Sequence, residues 1–296
     1  METTRKVIAH STRTILFDEG SGPPVVMLHG MAATSDIWCY SFDALKDRHR
    51  VVAPDLPGHG RSEGSAMPYS LGFYTRWLDD LLTQLGIGRA AILGNSMGGA
   101  IGLSYALDHR DRVDRLVMVD ALGLGPDLPG AGIGHVLRNL PNFVRLLVTR
   151  QMDPYLFRYL RGLVIVDPQG PARPVLEEMF RLNLKQGPLG FWSAWAGTRL
   201  LLEDFLSPAR RREFNQRLHN IDTPTLIAWG LHDGLLPVRN AEAGQQNLPH
   251  ARLEVFTRSA HSPMLEEPER FAEVVRAFLD ETFDAVPIHN SQEEDR

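Results

Sequence analysis

One cysteine, Cys39, stands in 296 residues. A lone thiol forms no internal disulfide and supplies no thiolate cluster, and it suits a reducing compartment. Also missing is any uninterrupted apolar run of about eighteen residues, the length needed to cross a bilayer, so no membrane insertion is expected. The opening residues, Met-Glu-Thr-Thr-Arg-Lys, lead into no apolar h-region of a signal peptide. A cytoplasmic location is the expectation. Nor is there an excess of basic residues: 31 Lys and Arg against 36 Asp and Glu give a net charge of −5. That balance argues against a general nucleic-acid binder. What is present is ordinary globular material. With 43% hydrophobic and 23% charged residues the chain can build a sizeable core, which excludes disorder and a coiled coil.

The charge is unevenly placed. Residues 124–221 hold 13 Lys and Arg against 8 Asp and Glu, which leaves 18 against 28 for the rest of the chain. Composition marks the edges of this basic segment. A Gly/Pro-rich stretch runs from Gly123 to Gly134, where a hinge is expected, and Asp222-Thr-Pro224 precedes an apolar run. Residues 124–221 therefore read as an insertion, mostly helical and divided by Pro141, Pro154, Pro168, Pro171, Pro174, Pro188 and Pro208. The flanking pieces, 1–123 and 222–286, form one domain, and 287–296 is a polar tail.

Those pieces alternate short apolar runs with longer helical patterns. Strands are expected at Val25–Leu28, Val51–Ala53, Ala91–Leu93, Leu116–Val119, Thr225–Trp229 and Leu253–Phe256. Most are apolar throughout, as in strands buried on both faces of a parallel sheet. Helices are expected at Leu71–Leu85, Gly98–Leu107 and Glu269–Phe283, with Phe271, Val274, Val275 and Phe278 at helical spacing. Val7–Phe17 reads as an antiparallel hairpin at the edge. The alternation predicts an α/β fold with a mostly parallel, doubly wound sheet.

Gly94-Asn95-Ser96-Met97-Gly98 sits directly after an expected strand and opens an expected helix. A nucleophile on so tight a turn needs small neighbours, and the helix N-terminus directs N–H groups at developing negative charge. Serine needs a base. Of the 11 histidines, His261 lies just beyond the last expected strand, at the same sheet edge as Ser96. A neutral histidine needs an orienting carboxylate. Asp233 follows one strand and Asp120 another, and either could serve; Gly and Pro around Asp233 suit a protruding loop. Ser96, Asp233 and His261 then fall in chain order, with separations of 137 and 28 residues.

These motifs resemble those of the α/β-hydrolase superfamily. His29-Gly30-Met31 resembles its oxyanion loop, Asp55-Leu-Pro-Gly-His-Gly-Arg-Ser62 its D-x-P-G-x-G-x-S turn, and Gly94–Gly98 its nucleophile elbow. The resemblance implies the α/β-hydrolase fold, with 124–221 as a helical cap inserted after the sixth strand. It implies backbone oxyanion donors at Met31 and Met97, structural roles for His29 and His59, and acyl transfer from a small-molecule ester to water with no metal and no organic cofactor. Gly-Asn-Ser-Met-Gly-Gly also resembles the elbow of meta-cleavage-product hydrolases, which cut carbon–carbon bonds. Those enzymes carry a Gly-rich oxyanion loop and a Trp two residues after the histidine, where this chain has His29-Gly-Met-Ala-Ala-Thr-Ser35 and Pro263. The esterase and lipase-like branch is the better match. Ser96, rather than Asp, excludes an epoxide hydrolase or haloalkane dehalogenase.

The inserted segment is expected to select substrates. Phe143, Phe157, Met179, Phe180, Phe191, Trp192, Trp195 and Phe205 would build its core, with a few facing the cleft and favouring an apolar acyl or aromatic group. Arg210-Arg-Arg212 reads as a solvated helix face. A ligand sensor with slow turnover is the reading from outside enzymology, and three intact catalytic residue types argue against it.

Overall fold

A strand apolar on both sides of its pleat is stable only with helices over both faces of its sheet. That requirement organises the computed structural model, which describes residues 4–64, 69–127, 164–167, 169–185, 205 and 207–282. In chain order its strands are β1 (Thr4–Ala9), β2 (Thr12–Glu19), β3 (Pro24–Leu28), β4 (Arg50–Pro54), β5 (Ala90–Asn95), β6 (Val113–Val119), β7 (Thr225–Gly230) and β8 (Ala251–Phe256). The α-helices are α1 (Cys39–Leu45), α2 (Leu71–Gln84), α3 (Met97–Asp108), α4 (Ala172–Lys185), α5 (Pro208–Arg217), α6 (Arg239–Asn247), α7 (Pro263–Glu266) and α8 (Pro268–Asp280).

The eight strands form one sheet in the order β1-β2-β4-β3-β5-β6-β7-β8. The expected hairpin is present at the edge. His10 and Ser11, both at positive φ, make its two-residue turn, as a type I′ connection demands. β2 runs antiparallel to β4, and every later pair is parallel. The carboxyl ends of β3 to β8 therefore lie along one edge, and loops leaving them converge there.

Alternate residues feed two cores. Val26, Leu28, Ile92, Met118 and Ile227 pack on one side with Trp77, Leu78 and Leu81 of α2 and Ile101 of α3. Val25, Met27, Leu93, Val117 and Val119 pack on the other with Phe42 of α1 and Phe271, Val275 and Phe278 of α8. Each such side chain, fully buried, contributes about 1.5–3 kcal/mol. α2 starts where the Ser70 hydroxyl accepts the Phe73 N–H, and Trp77 Nε1 donates to Thr14 Oγ1 at 2.9 Å, tying it to the hairpin. α3 is buried all round, as befits the helix behind the elbow. α8 stops at Asp280, three residues before the expected end, where Glu281 turns extended and pairs with Arg252.

Much of the expected cap, residues 124–221, and all of the tail 287–296 lie outside the described residues, as do Phe143, Phe157, Phe191, Trp192 and Trp195. Within the described part, α4 and α5 are helical, Met179 and Phe205 are buried, and Phe205 packs edge-on against Phe214. Arg211 donates to the Phe205 carbonyl at 2.7 Å, while Arg210 and Arg212 are exposed. Among the described residues no helix is long and apolar enough to cross a membrane.

Candidate active site

Ser96 connects β5 directly to α3 at φ 54° and ψ −113°. A non-glycine residue there costs of order 1–3 kcal/mol and must be held by its surroundings. The Ser96 N–H donates to the Val119 carbonyl at 3.0 Å, and the Ser96 carbonyl accepts from Gly99, Ala100 and Leu122. The neighbours must be small. A Cβ on Gly94 would lie 2.5 Å from the Gly98 carbonyl oxygen, and one on Gly98 would lie 2.2 Å from that of Leu28. The G-x-S-x-G spacing is thus a packing requirement, and it leaves Met97 as the first residue of α3. Its N–H has no carbonyl within the helix to bond.

The loop after β3 abuts this turn. A Cβ on Gly30 would approach Asn95 Oδ1 to 3.0 Å and Ser96 Cβ to 3.1 Å. Met31 follows, its side chain partly exposed. His29 and His59 are fully buried. His29 Nε2 accepts the Leu56 N–H at 2.9 Å and its Nδ1 lies 2.7 Å from the Gly30 carbonyl, which fixes a neutral ring. Burial pushes the pKa of both down, that of His59 to about 3. Asp55 accepts from the backbone N–H groups of Ser35 and Arg61 and pairs with the Arg61 guanidinium, which pins the D-x-P-G-x-G-x-S turn.

Asp233 and His261 come from different loops and meet. His261 Nδ1 is 2.7 Å from Asp233 Oδ2. Asp233 Oδ1 accepts the N–H groups of Leu235 and Leu236 at 2.8 and 2.9 Å, which locks the carboxylate. The loops after β7 and β8 pack so closely that a Cβ on Gly230 would fall 1.7 Å from the Ala260 carbonyl oxygen. With Nδ1 facing the carboxylate, a neutral imidazole keeps its proton there and offers Nε2 as a base. Asp120, the alternative orienting acid, takes another position: its Oδ1 accepts the Gly230 N–H at 2.9 Å. Asp120, Asp233 and His261 have ligating atoms within 4.8 Å of one another. The His261–Asp233 separation is nevertheless that of a hydrogen bond, closer than two ligands sit around one zinc ion, about 3 Å or more.

Two supporting residues escape the motif reading. Asn95 Nδ2 donates to the carbonyls of Val119 and His261, both at 3.2 Å, and so joins the elbow to the histidine loop. Glu266 accepts the Val166 N–H at 2.5 Å and the Ala260 N–H at 2.7 Å, and the His261 N–H donates to Val164. Burial pushes the Glu266 pKa up to about 7 against the pull of those N–H groups. Asn95 was within sight as the x of the elbow. Nothing in the sequence marks Glu266 among the neighbouring glutamates.

The family model described as the alpha/beta hydrolase fold matches residues 23–268. The chain belongs to the α/β-hydrolase family. This hydrolase is 33% identical over 252 residues to a pimeloyl-[acyl-carrier protein] methyl ester esterase of Nitrosomonas europaea, covering 85% of this chain and 94% of that protein. It is 29% identical over 290 residues to a 2-hydroxymuconate semialdehyde hydrolase of Pseudomonas putida, with 95% of each chain covered. Among solved structures, an esterase from Exiguobacterium antarcticum superposes with a TM-score of 0.73 at 26% identity, covering 94% of this hydrolase and 100% of that chain.

Proposed function

We propose that this hydrolase cleaves carboxylic esters of small to medium apolar acyl or aromatic substrates through a covalent acyl-enzyme. The observation that carries the reading is the 2.7 Å pair of His261 Nδ1 and Asp233 Oδ2 at the sheet edge where Ser96 occupies its strained turn. His261 Nε2 takes the Ser96 Oγ proton as Oγ attacks the ester carbonyl. The backbone N–H groups of Met31 and Met97 receive the oxyanion, and Asp233 stabilises the imidazolium. His261 then protonates the leaving alcohol, and the same groups activate water to release the acid. None of these steps calls on a metal or an organic cofactor. Likeness to two esterases, one of them 33% identical, supports the ester reading.

A second reading is carbon–carbon bond hydrolysis by the same residues, favoured by the likeness to the P. putida hydrolase over nearly the whole chain. Against it stands Pro263. It opens α7 at the first helical position, where a missing N–H costs nothing, and fills the place of that branch's Trp. The test is turnover of p-nitrophenyl esters of graded acyl length beside a vinylogous dienone. Faster hydrolysis of any ester supports the first reading, and faster dienone cleavage replaces it with the second.

A further inference from the structure

Asp120 is a fully buried carboxyl that the mechanism leaves without a task. It follows β6 at φ 44°, a left-handed conformation uncommon outside glycine. Its N–H donates to the Ala228 carbonyl at 3.0 Å and its Oδ1 accepts the Gly230 N–H. Its other oxygen, Oδ2, is buried and accepts no hydrogen bond from a donor among the described residues. Beside it lies Asp233, with a carboxylate oxygen of each within 4.8 Å of the other.

Two buried carboxylates this close repel one another when both are ionised, which favours a state in which one of them keeps its proton. The donors around them decide which. Asp233 faces three groups that favour its negative charge: the N–H groups of Leu235 and Leu236 and the His261 ring. Asp120 faces one N–H. We propose that Asp120 is a neutral carboxylic acid whose Oδ2–H donates to the Asp233 carboxylate, making it a positioning residue for the acid partner of His261. The proposal rests on the reading of Asp233 as that partner. Burial, the Asp233 charge and, further off, Glu266 all push the Asp120 pKa well above the usual carboxylate range, while the Gly230 N–H pulls the other way. With His261, these are the titratable groups that face it among the described residues. The donated hydrogen bond holds the Asp233 carboxylate in the plane that His261 needs and spreads its charge, which sets the pH at which the imidazole becomes protonated.

The test is the pH dependence of p-nitrophenyl butyrate kcat/KM, with the His261 ring followed in parallel by NMR titration, in wild type, Asp120→Asn, Asp120→Ala and Asp233→Asn. An Asn at 120 can keep both bonds, its amide oxygen on the Gly230 N–H and its NH2 on Asp233. Asp120→Asn is expected to stay within a few-fold of wild type with its acid limb unmoved. Asp120→Ala is expected to lose about ten-fold or more and to move the acid limb and the His261 titration to higher pH, since Asp233 regains undivided charge. A downward shift of about one pH unit in Asp120→Asn would show a charge removed and overturn the proposal. So would an Asp120→Ala variant that loses thermal stability while its His261 titration stays put. An Asp233→Asn variant with full activity would overturn the reading of Asp233 itself. An inactive Asp233→Asn beside a shifted Asp120→Asn would place the error at Asp120 alone.

Discussion

The side chain of Asn95 donates to the main-chain carbonyl of His261 at 3.2 Å, although the two residues are 166 positions apart in the chain. The residue next to the candidate nucleophile thereby grips the loop that carries the candidate base. Asn95→Ala would remove this bond and the one to Val119, leaving two carbonyls in a buried region without that donor, at about 1–3 kcal/mol. The expected outcome is a modest fall in Tm together with a loss of about ten-fold or more in kcat/KM from misplacement of His261. A variant that loses stability yet keeps its rate would contradict the positioning role.

Close approach of the β7 and β8 loops makes Gly230 irreplaceable. Gly230→Ala would drive a Cβ into the Ala260 backbone and is expected to lower Tm sharply or abolish soluble protein. Gly88 is the matched control, with open space around it and no positive φ; Gly88→Ala should be neutral or stabilising by about 0.4–1 kcal/mol. Thermal denaturation of the pair checks this, and equal effects would count against the packing account.

Glu266 gives stability a pH dependence. Its folded pKa of about 7 lies above the ordinary 4.5, so between those values the native state holds a proton that the unfolded chain has released. Stability from this group is full below about pH 4.5 and is lost as pH rises through about 7. Glu266→Gln removes the ionisable group. The Tm of Glu266→Gln minus that of wild type should therefore become more positive from about pH 5 to about pH 8, and a flat or falling difference would refute it.

The strands and the elbow were legible because their physics is local. Val25–Leu28 or Ala91–Leu93 can hardly be anything but buried strands, and Gly94 and Gly98 declare a turn that tolerates no side chains. The place of Asp120 relative to Asp233 was not legible in this way. Both acids follow strands, and only the path of the loop through Gly230 decides which one reaches His261 Nδ1. Glu266 was hidden for the same reason, since its partners Val166 and Ala260 belong to different segments. The short helices α1 and α6 are less legible, since each lies between strands without a long apolar stripe of its own.

Backbone donors predict an asymmetry between neighbours. Met97→Ala keeps the N–H that would face an oxyanion, whereas Ser96→Ala removes the hydroxyl proposed to attack. Met97→Ala should retain most of the ester turnover, and Ser96→Ala should retain almost none. Steady-state kinetics on one p-nitrophenyl ester decides it, and a larger loss from Met97→Ala would contradict the assignment.

The most direct test of the central claim is intact-mass measurement after incubation with a fluorophosphonate, for wild type, Ser96→Ala and Asp233→Asn. One adduct on wild type, none on Ser96→Ala and much slower labelling of Asp233→Asn are predicted for a serine activated through His261 and Asp233. An unlabelled wild type, or a Ser96→Ala variant labelled as fast as wild type, would contradict it.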